Sequence, residues 1–205
     1  MQEFEVFFSI VVLIFSVVVH EVAHGYTADW LGDPTAKFAG RLTLNPLKHL
    51  SLLGSVIVPA ITYFTGGFIF GWAKPVPYNP YNIKRKHGDA LVALAGPASN
   101  LFIAFVFGLL MRFGAQSDYL AGSFKIFATI VFINIILAVF NLVPIPPLDG
   151  SKILFSLTSY SHPQIGEFLE KNGMVLLVIF LLFFWKYLLP LVGIIFSSLT
   201  GIKLA

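Results

Sequence analysis

The chain has 205 residues, of which 57% are hydrophobic and 11% charged, and its mean hydropathy is +0.85. A soluble domain carries about 25% charged residues, so this composition excludes an ordinary soluble protein and indicates one that crosses a membrane several times. The lack of cysteine excludes disulfides and thiolate ligands. The net charge is +3, but aromatic and basic residues do not alternate along the chain as is typical of nucleic-acid binding, so no nucleic-acid partner is expected.

Five hydrophobic stretches predict the membrane elements in chain order. A helix needs about 20 apolar residues to cross a bilayer, and three of the stretches meet this length without a break. The other two are ambiguous, because Pro59, Gly66 and Gly67 interrupt one and Trp185–Tyr187 and Pro190 the other. The unbroken stretches are 4–31, 90–111 and 126–148, and the interrupted ones are 50–73 and 173–202.

The first stretch is expected to remain in the mature protein. A signal peptide requires basic leading residues and a small-residue cleavage pattern after its apolar run, and this stretch has neither.

No linker, repeat or composition shift divides the chain, so residues 1–205 are expected to form a single membrane-embedded domain. A short surface helix is also predicted over 151–160.

The strongest chemical signal is the sequence His20-Glu21-Val22-Ala23-His24 in the first predicted helix. Residues four apart share a helix face, so both imidazoles can reach one metal ion. Glu21 then lies beside the metal, where its carboxylate can take a proton from water. Histidines on apolar helices are usually satisfied core side chains, but ionisable groups at membrane depth are costly and typical of functional sites. A zinc site is therefore predicted here.

A catalytic zinc site needs a third protein ligand. His49 and His87 stand beside lysines and are interpreted as interfacial, and His162 lies in a polar connection. Asp149 is the favoured candidate, because it closes a long uncharged stretch and precedes Gly150, which permits an unusual conformation or a close approach. The alternative is that Asp149 only caps the short helix that follows.

These motifs together resemble the site-2 protease family of intramembrane metalloproteases. The family pairs H-E-x-x-H with a later N-x-x-P-x-P-x-x-D-G, which matches residues 141–150. Residues 95–100, Ala-Gly-Pro-Ala-Ser-Asn, are similar to its A-G-P-x-x-N helix, and residues 73–80 resemble a segment of its small bacterial and archaeal members. The resemblance runs from the first helix to about Leu154. The chain departs from the regulatory members in lacking PDZ or CBS domains, and from many members in having Ser151 where they have a second glycine.

The resemblance implies a zinc-dependent metalloendopeptidase with one zinc ion per chain. It further implies that the zinc is held by His20, His24 and Asp149, that Glu21 is the catalytic base, and that Asn100 and Asn141 lie near the substrate. Either asparagine could hold a carbonyl or stabilise the oxyanion, and hydrogen bonding between helices is the alternative for both. Asn134 is assigned to packing.

The ligand set also predicts the topology. His20 and His24 lie toward the end of the first stretch and Asp149 at the end of the fourth, so these two helices must run parallel with an odd number of crossings between them. The stretch 90–111 supplies one crossing, so 50–73 cannot cross once. The fold predicted is therefore an all-α polytopic membrane protein. Three core transmembrane helices surround the zinc site in this fold. It also contains a re-entrant or interfacial hairpin over 50–73 and one or two further C-terminal membrane helices.

Basic residues predict the orientation by the positive-inside rule. They concentrate on the face that holds both ends of the hairpin, which predicts a multi-pass cell-membrane protein with the N-terminus outside. The helix from Phe4 places His20 about 24 Å along its axis, so the active site is expected within the bilayer, toward the cytoplasm. The residues counted on this face are Lys37, Arg41, Lys48, Lys74, Lys84, Arg85, Lys86, Lys152 and Lys171, against Arg112, Lys125 and Lys203 on the other.

The predicted function is hydrolysis of peptide bonds within or near transmembrane segments, in regulated intramembrane proteolysis or in removal of membrane-peptide remnants. The partners expected are a transmembrane protein or peptide substrate and the lipid bilayer, and the oligomeric state is left open. A membrane metal transporter is the alternative, although transporters tend to show paired halves, which are not visible here. An inactive scaffold is a further alternative, against which the intact Glu21 argues.

Overall fold

The computed structural model describes residues 2–58, 61, 64, 71, 73–114, 122–158 and 163–203. Over these residues the chain forms seven α-helices. All regular structure within these residues is helical. The helices are α1 Gln2–Trp30, α2 Thr35–Phe38, α3 Gly88–Gly114, α4 Phe124–Asn141, α5 Asp149–Thr158, α6 Pro163–Ile179 and α7 Leu189–Thr200. Short helical turns lie at Pro46–Lys48, Leu53–Ile57, Pro80–Asn82, Phe180–Phe184 and Trp185–Tyr187.

Four helical segments are long and apolar enough to cross a membrane, which confirms the all-α polytopic class. Three of them are the predicted core helices, at Glu5–Trp30, Gly88–Gly114 and Phe124–Asn141. The fourth, Gly166–Tyr187, begins before the predicted start at 173, and α7 follows as a separate, shorter apolar helix. The C-terminal stretch is thus divided at Trp185–Tyr187, as its interrupted sequence indicated.

Helix α3 is the centre of the fold and contacts α1, α4, α5 and α7. Small residues allow this close packing. A β-carbon placed at Gly108 of α3 would lie 2.8 Å from the Leu199 β-carbon of α7. An apolar core joins α3, α4 and α7, formed by Ala104, Met111, Val131, Ile135, Val139, Val192 and Phe196. This core fixes α3 against α4 and α7.

The loop 142–148 turns the chain sharply from α4 into α5. A β-carbon at Gly150 would lie 2.6 Å from the Val143 carbonyl oxygen. Glycine is therefore required here because the backbone approaches closely, which is one of the two reasons that the sequence suggested. The short helix predicted over 151–160 begins earlier, at Asp149, and Ser151 is buried rather than on the surface. Asp149 is therefore inside the first turn of α5 instead of preceding it.

The two ends of the hydrophobic stretch 50–73 meet. The Lys74 N–H donates a hydrogen bond of 2.8 Å to the His49 carbonyl oxygen, so the chain leaves and returns at one place, as the hairpin prediction requires. Most of the predicted bend, including Pro59, Gly66 and Gly67, lies outside the described residues.

Two residues beside this hairpin are buried by contacts that the sequence did not reveal. His49, expected at the interface, is 1% exposed, and its Nε2 bonds the Thr43 carbonyl oxygen at 2.9 Å. Arg41, counted among the surface charges, is also buried. Both sit where loops fold over α1, which a local pattern of charge does not reveal.

Candidate metal centre

Three side chains from two distant parts of the chain converge at one buried point. His20 and His24 lie one helical turn apart on α1, and their Nε2 atoms are 3.0 and 3.2 Å from Asp149 Oδ2 on α5. Their rings are nearly perpendicular with centroids 4.7 Å apart. One candidate ligand atom from each residue lies within 4.8 Å of the others. The structure thus brings together the three residues that the sequence predicted as a set.

The other ring nitrogen of each histidine is held by a hydrogen-bond acceptor. His20 Nδ1 donates to Asn100 Oδ1 and His24 Nδ1 to the Val92 carbonyl oxygen, each at 2.6 Å. Since both acceptors lack a proton, Nδ1 carries the hydrogen in each ring, and Nε2 is the nitrogen that faces Asp149 and could bind a metal ion. Such outer hydrogen bonds fix the tautomer and orientation of metal-binding histidines.

Asn100 lies behind His20, on the far side from the ligand atoms. Its Nδ2 donates to the Ser16 carbonyl oxygen at 3.2 Å and to Asn134 Oδ1 at 2.8 Å. Asn134 Nδ2 donates in turn to Ser16 Oγ at 2.9 Å. Asn100 and Asn134 are fully buried, so this network joins α1, α3 and α4 around the His20 ring. The packing role assigned to Asn134 is realised as hydrogen bonding between helices.

Asn141, the other candidate polar residue, is engaged within its own helix. Its Nδ2 donates to the Leu137 carbonyl oxygen at 2.9 Å. The described hydrogen bonds do not connect it to the histidines or to Asp149, and its side chain is only half-buried.

Gly96 explains why α3 can cross α1 at this depth. A β-carbon at this position would lie 2.5 Å from His20 Nε2 and would collide with the His24 ring as well. Side chains closer than about 3 Å cannot be accommodated in a packed interior without a shift. The Ala-Gly-Pro motif of α3 thus supplies the opening in which both imidazoles sit.

Glu21 lies outside the cluster of three ligand atoms, and its carboxylate contacts a loop. Its Oε2 accepts a hydrogen bond of 2.8 Å from the Val76 N–H, and the side chain is half-buried. It is not among the residues whose atoms converge as a metal cluster. Glu21 is therefore next in sequence to a ligand but outside the ligand set, and its role as general base stays a prediction.

Lys152 lies beside the other oxygen of Asp149, and the Tyr78 ring lies beside Lys152; neither was predicted from the sequence as a site residue. Lys152 Nζ lies 3.7 Å from Asp149 Oδ1 and 5.5 Å from the centre of the Tyr78 ring. Burial, reinforced by Asp89 and Asp149, raises the pKa of Tyr78 to about 12, so its hydroxyl keeps its proton at neutral pH. The available signal was the spacing of three between Asp149 and Lys152, which puts both on one helix face.

The donor set fits zinc. Two imidazole nitrogens and one carboxylate oxygen, with a position left for water, form the usual ligand set of catalytic zinc. The Nε2 atoms of both histidines face Asp149 Oδ2, the side chains are buried, and Gly96 keeps the space beside them clear of a side chain. His20, His24 and Asp149 are therefore the residues that would hold the ion.

Comparison with known proteins gives consistent matches. The family model described as peptidase family M50 matches residues 114–184, a range that contains Asp149. The chain is 41% identical to the Bacillus subtilis protein named "Putative zinc metalloprotease YwhC", over 72% of this chain and 68% of that protein. Two similar proteins carry the same description. Rip2 of Mycolicibacterium smegmatis is 34% identical over 66% of this chain and 51% of its own length. MJ0611 of Methanocaldococcus jannaschii is 32% identical over 72% of each chain. No solved structure matches significantly.

Proposed function

The chain belongs to peptidase family M50 and is a zinc metallopeptidase with several membrane helices. From this premise we propose that it hydrolyses peptide bonds within or near the transmembrane segments of other proteins. One observation carries the proposal. His20, Glu21 and His24 lie inside the apolar span Glu5–Trp30, about 15 Å or less from its C-terminal end and about 23 Å or more from its start. Peptide bonds that reach them are therefore at membrane depth.

The chemistry follows from the positions of these side chains. When bound, zinc supplies a Lewis acid that lowers the pKa of water and polarises a carbonyl group. Glu21 takes the proton of the attacking water and later returns it to the amine that leaves. Asn100, whose amide groups are all engaged, orients His20 and does not contact substrate. Lys152 partly balances the charge of Asp149 through its outer oxygen and leaves Oδ2 for the metal.

Metal transport, the alternative raised by the sequence, is not favoured, since the relatives are described as proteases. We also propose that residues 1–205 act as one protease domain, which the contacts of α3 with α1, α4, α5 and α7 support.

The purified protein tests the proposal with a single-span peptide substrate, reconstituted with it in phospholipid vesicles. We expect cleavage within or next to the apolar segment, mapped by mass spectrometry, and its loss on addition of a zinc chelator. Cleavage of unfolded soluble peptides with no cleavage of the membrane peptide would contradict the intramembrane role while leaving the peptidase assignment intact.

The orientation is a separate part of the proposal and predicts a labelling pattern. The chain has no cysteine, so Lys48→Cys and Lys84→Cys each introduce a single thiol at an exposed position on either side of the hairpin. An impermeant thiol reagent should modify both from the cytoplasmic side, because the ends of 50–73 meet. Lys125→Cys, at the N-terminal end of α4, should react only from outside. Reaction of Lys48→Cys and Lys84→Cys from opposite sides, in protein that still cleaves, would exclude the hairpin.

A further inference from the structure

We propose that residues 74–79, here called the strap, hold the catalytic base in position, and that Val76 is the positioning residue through its backbone N–H. The inference rests on the proposed role of Glu21. It assigns a purpose to the Lys-Pro-Val-Pro-Tyr-Asn sequence, a motif that the metal centre itself does not use. Because Pro75 and Pro77 have no N–H, the Val76 N–H is the single backbone donor between Lys74 and Tyr78.

That one donor bonds Glu21 Oε2 at 2.8 Å. A hydrogen bond from a fixed donor to one carboxylate oxygen also fixes the direction of the second oxygen. The second oxygen, Glu21 Oε1, is then free to accept the proton of water. Proline limits φ to about −65° and keeps the preceding residue extended. Pro75 and Pro77 therefore restrict the backbone on both sides of the donor.

The Val76 side chain fastens the strap to the same face of α1. It is 6% exposed, and a β-carbon placed at Gly25 would lie 2.9 Å from its Cγ1. Gly25 follows Glu21 by four residues, so Val76 packs one turn beyond the carboxylate that its own N–H contacts. The hydrogen bond and the apolar contact thus fix the same residue at two points.

Two buried charged side chains fasten the ends of the strap without touching the metal ligands. Arg41 Nη2 donates to the Lys74 carbonyl oxygen at 2.7 Å, and the His49 carbonyl oxygen receives the Lys74 N–H. At the other end the Asn79 N–H donates to Asp33 Oδ2 at 2.6 Å. Arg41 is 7% exposed and Asp33 fully buried.

Asp33 is held as an anion at the far end of the strap. Its burial raises the pKa, but hydrogen bonds from Thr35, Asn82 and Asn79 outweigh this and lower the pKa below its usual value. Asn79 is therefore fixed by a charged acceptor, and a charge-assisted hydrogen bond is stronger than a neutral one. Each end of the strap is thus anchored to a loop that is itself packed on α1.

The direct test removes the donor and keeps the chain extended. Val76→Pro deletes the N–H, and Val76→Ala keeps it while losing more of the side-chain packing. A hydrogen bond to a charged group contributes enough to predict a fall in kcat of roughly 10- to 100-fold for Val76→Pro. KM and zinc content should stay unchanged in both variants, and kcat should fall less in Val76→Ala, which keeps the N–H, than in Val76→Pro. Equal kcat in the two variants, or loss of zinc from Val76→Pro, would overturn the proposal.

Hydrogen exchange gives a second readout that needs no activity. Since Pro75 and Pro77 have no amide hydrogen, Val76 carries the single amide hydrogen of residues 75–77, and its signal is read residue by residue. In the full-length protein we expect Val76 exchange to accelerate at least 10-fold in Glu21→Ala, while Lys74, bonded to His49, exchanges as before. Unchanged Val76 exchange in Glu21→Ala would refute the strap even if the protein proves to be an active intramembrane protease. Altered exchange in a protein that cuts no membrane peptide would refute the proposed function instead.

Discussion

Glu21→Gln is expected to abolish peptide cleavage while the protein keeps one zinc ion per chain. The amide has the size of the carboxylate and still offers an oxygen to the Val76 N–H, so the local structure should persist. It cannot accept the proton of water, and general-base catalysis contributes about 10²- to 10⁴-fold to the rate. Turnover of a membrane peptide and zinc content by elemental analysis measure the two effects separately.

The matched control is Glu167→Gln, an exposed carboxylate on α6, which should retain both zinc and turnover. If Glu21→Gln lost its zinc together with its activity, Glu21 would be part of the metal site, and the division between ligands and base would be wrong.

Gly96→Ala is expected to disrupt the metal centre although alanine is otherwise the best residue in a helix. The added methyl group would lie 2.5 Å from His20 Nε2 and against the His24 ring, so either α3 or both imidazoles must move. Disturbing the support of metal ligands costs about 10- to 100-fold in affinity or activity, and direct displacement of two ligands should reach at least the upper value. Competition with a chelator measures zinc affinity, and cleavage is measured in parallel.

Gly193→Ala is the control for this change, because a β-carbon at Gly193 in α7 would meet no atom within 4 Å. Its zinc affinity should equal that of the unmodified protein. Wild-type zinc binding in Gly96→Ala would show that the close crossing of α3 and α1 is not needed for the site.

The metal centre could be predicted because its main parts are local or exceptional. The spacing of His20 and His24 fixes a shared helix face without reference to the rest of the fold. Asp149 stands out as an acidic residue at the end of a long uncharged stretch. Once these three were taken together, the direction of the helices and the return of the hairpin followed from counting crossings.

The contacts around the centre could not be predicted, because they depend on which surfaces meet. Asn100 was expected either near substrate or in hydrogen bonding between helices. The packing of α3 on α1 puts it behind His20, where it bonds Ser16 and Asn134. His49 was interpreted as interfacial because it stands beside a lysine, and Arg41 was counted only as a basic residue of the cytoplasmic face. Long-range loop contacts bury both side chains. Val76 is an apolar residue that acts through its backbone, and only the prolines on either side of it hint at this.

X-ray absorption at the zinc edge tests the ligand set most directly. The purified protein, carrying one zinc ion per chain, should show only nitrogen and oxygen ligands at about 2.0–2.2 Å. Its outer-shell scattering should correspond to two imidazoles, those of His20 and His24, with Asp149 supplying an oxygen. A spectrum with three imidazoles would contradict this, since the third would have to come from His49, His87 or His162 and Asp149 would lose its place as a ligand.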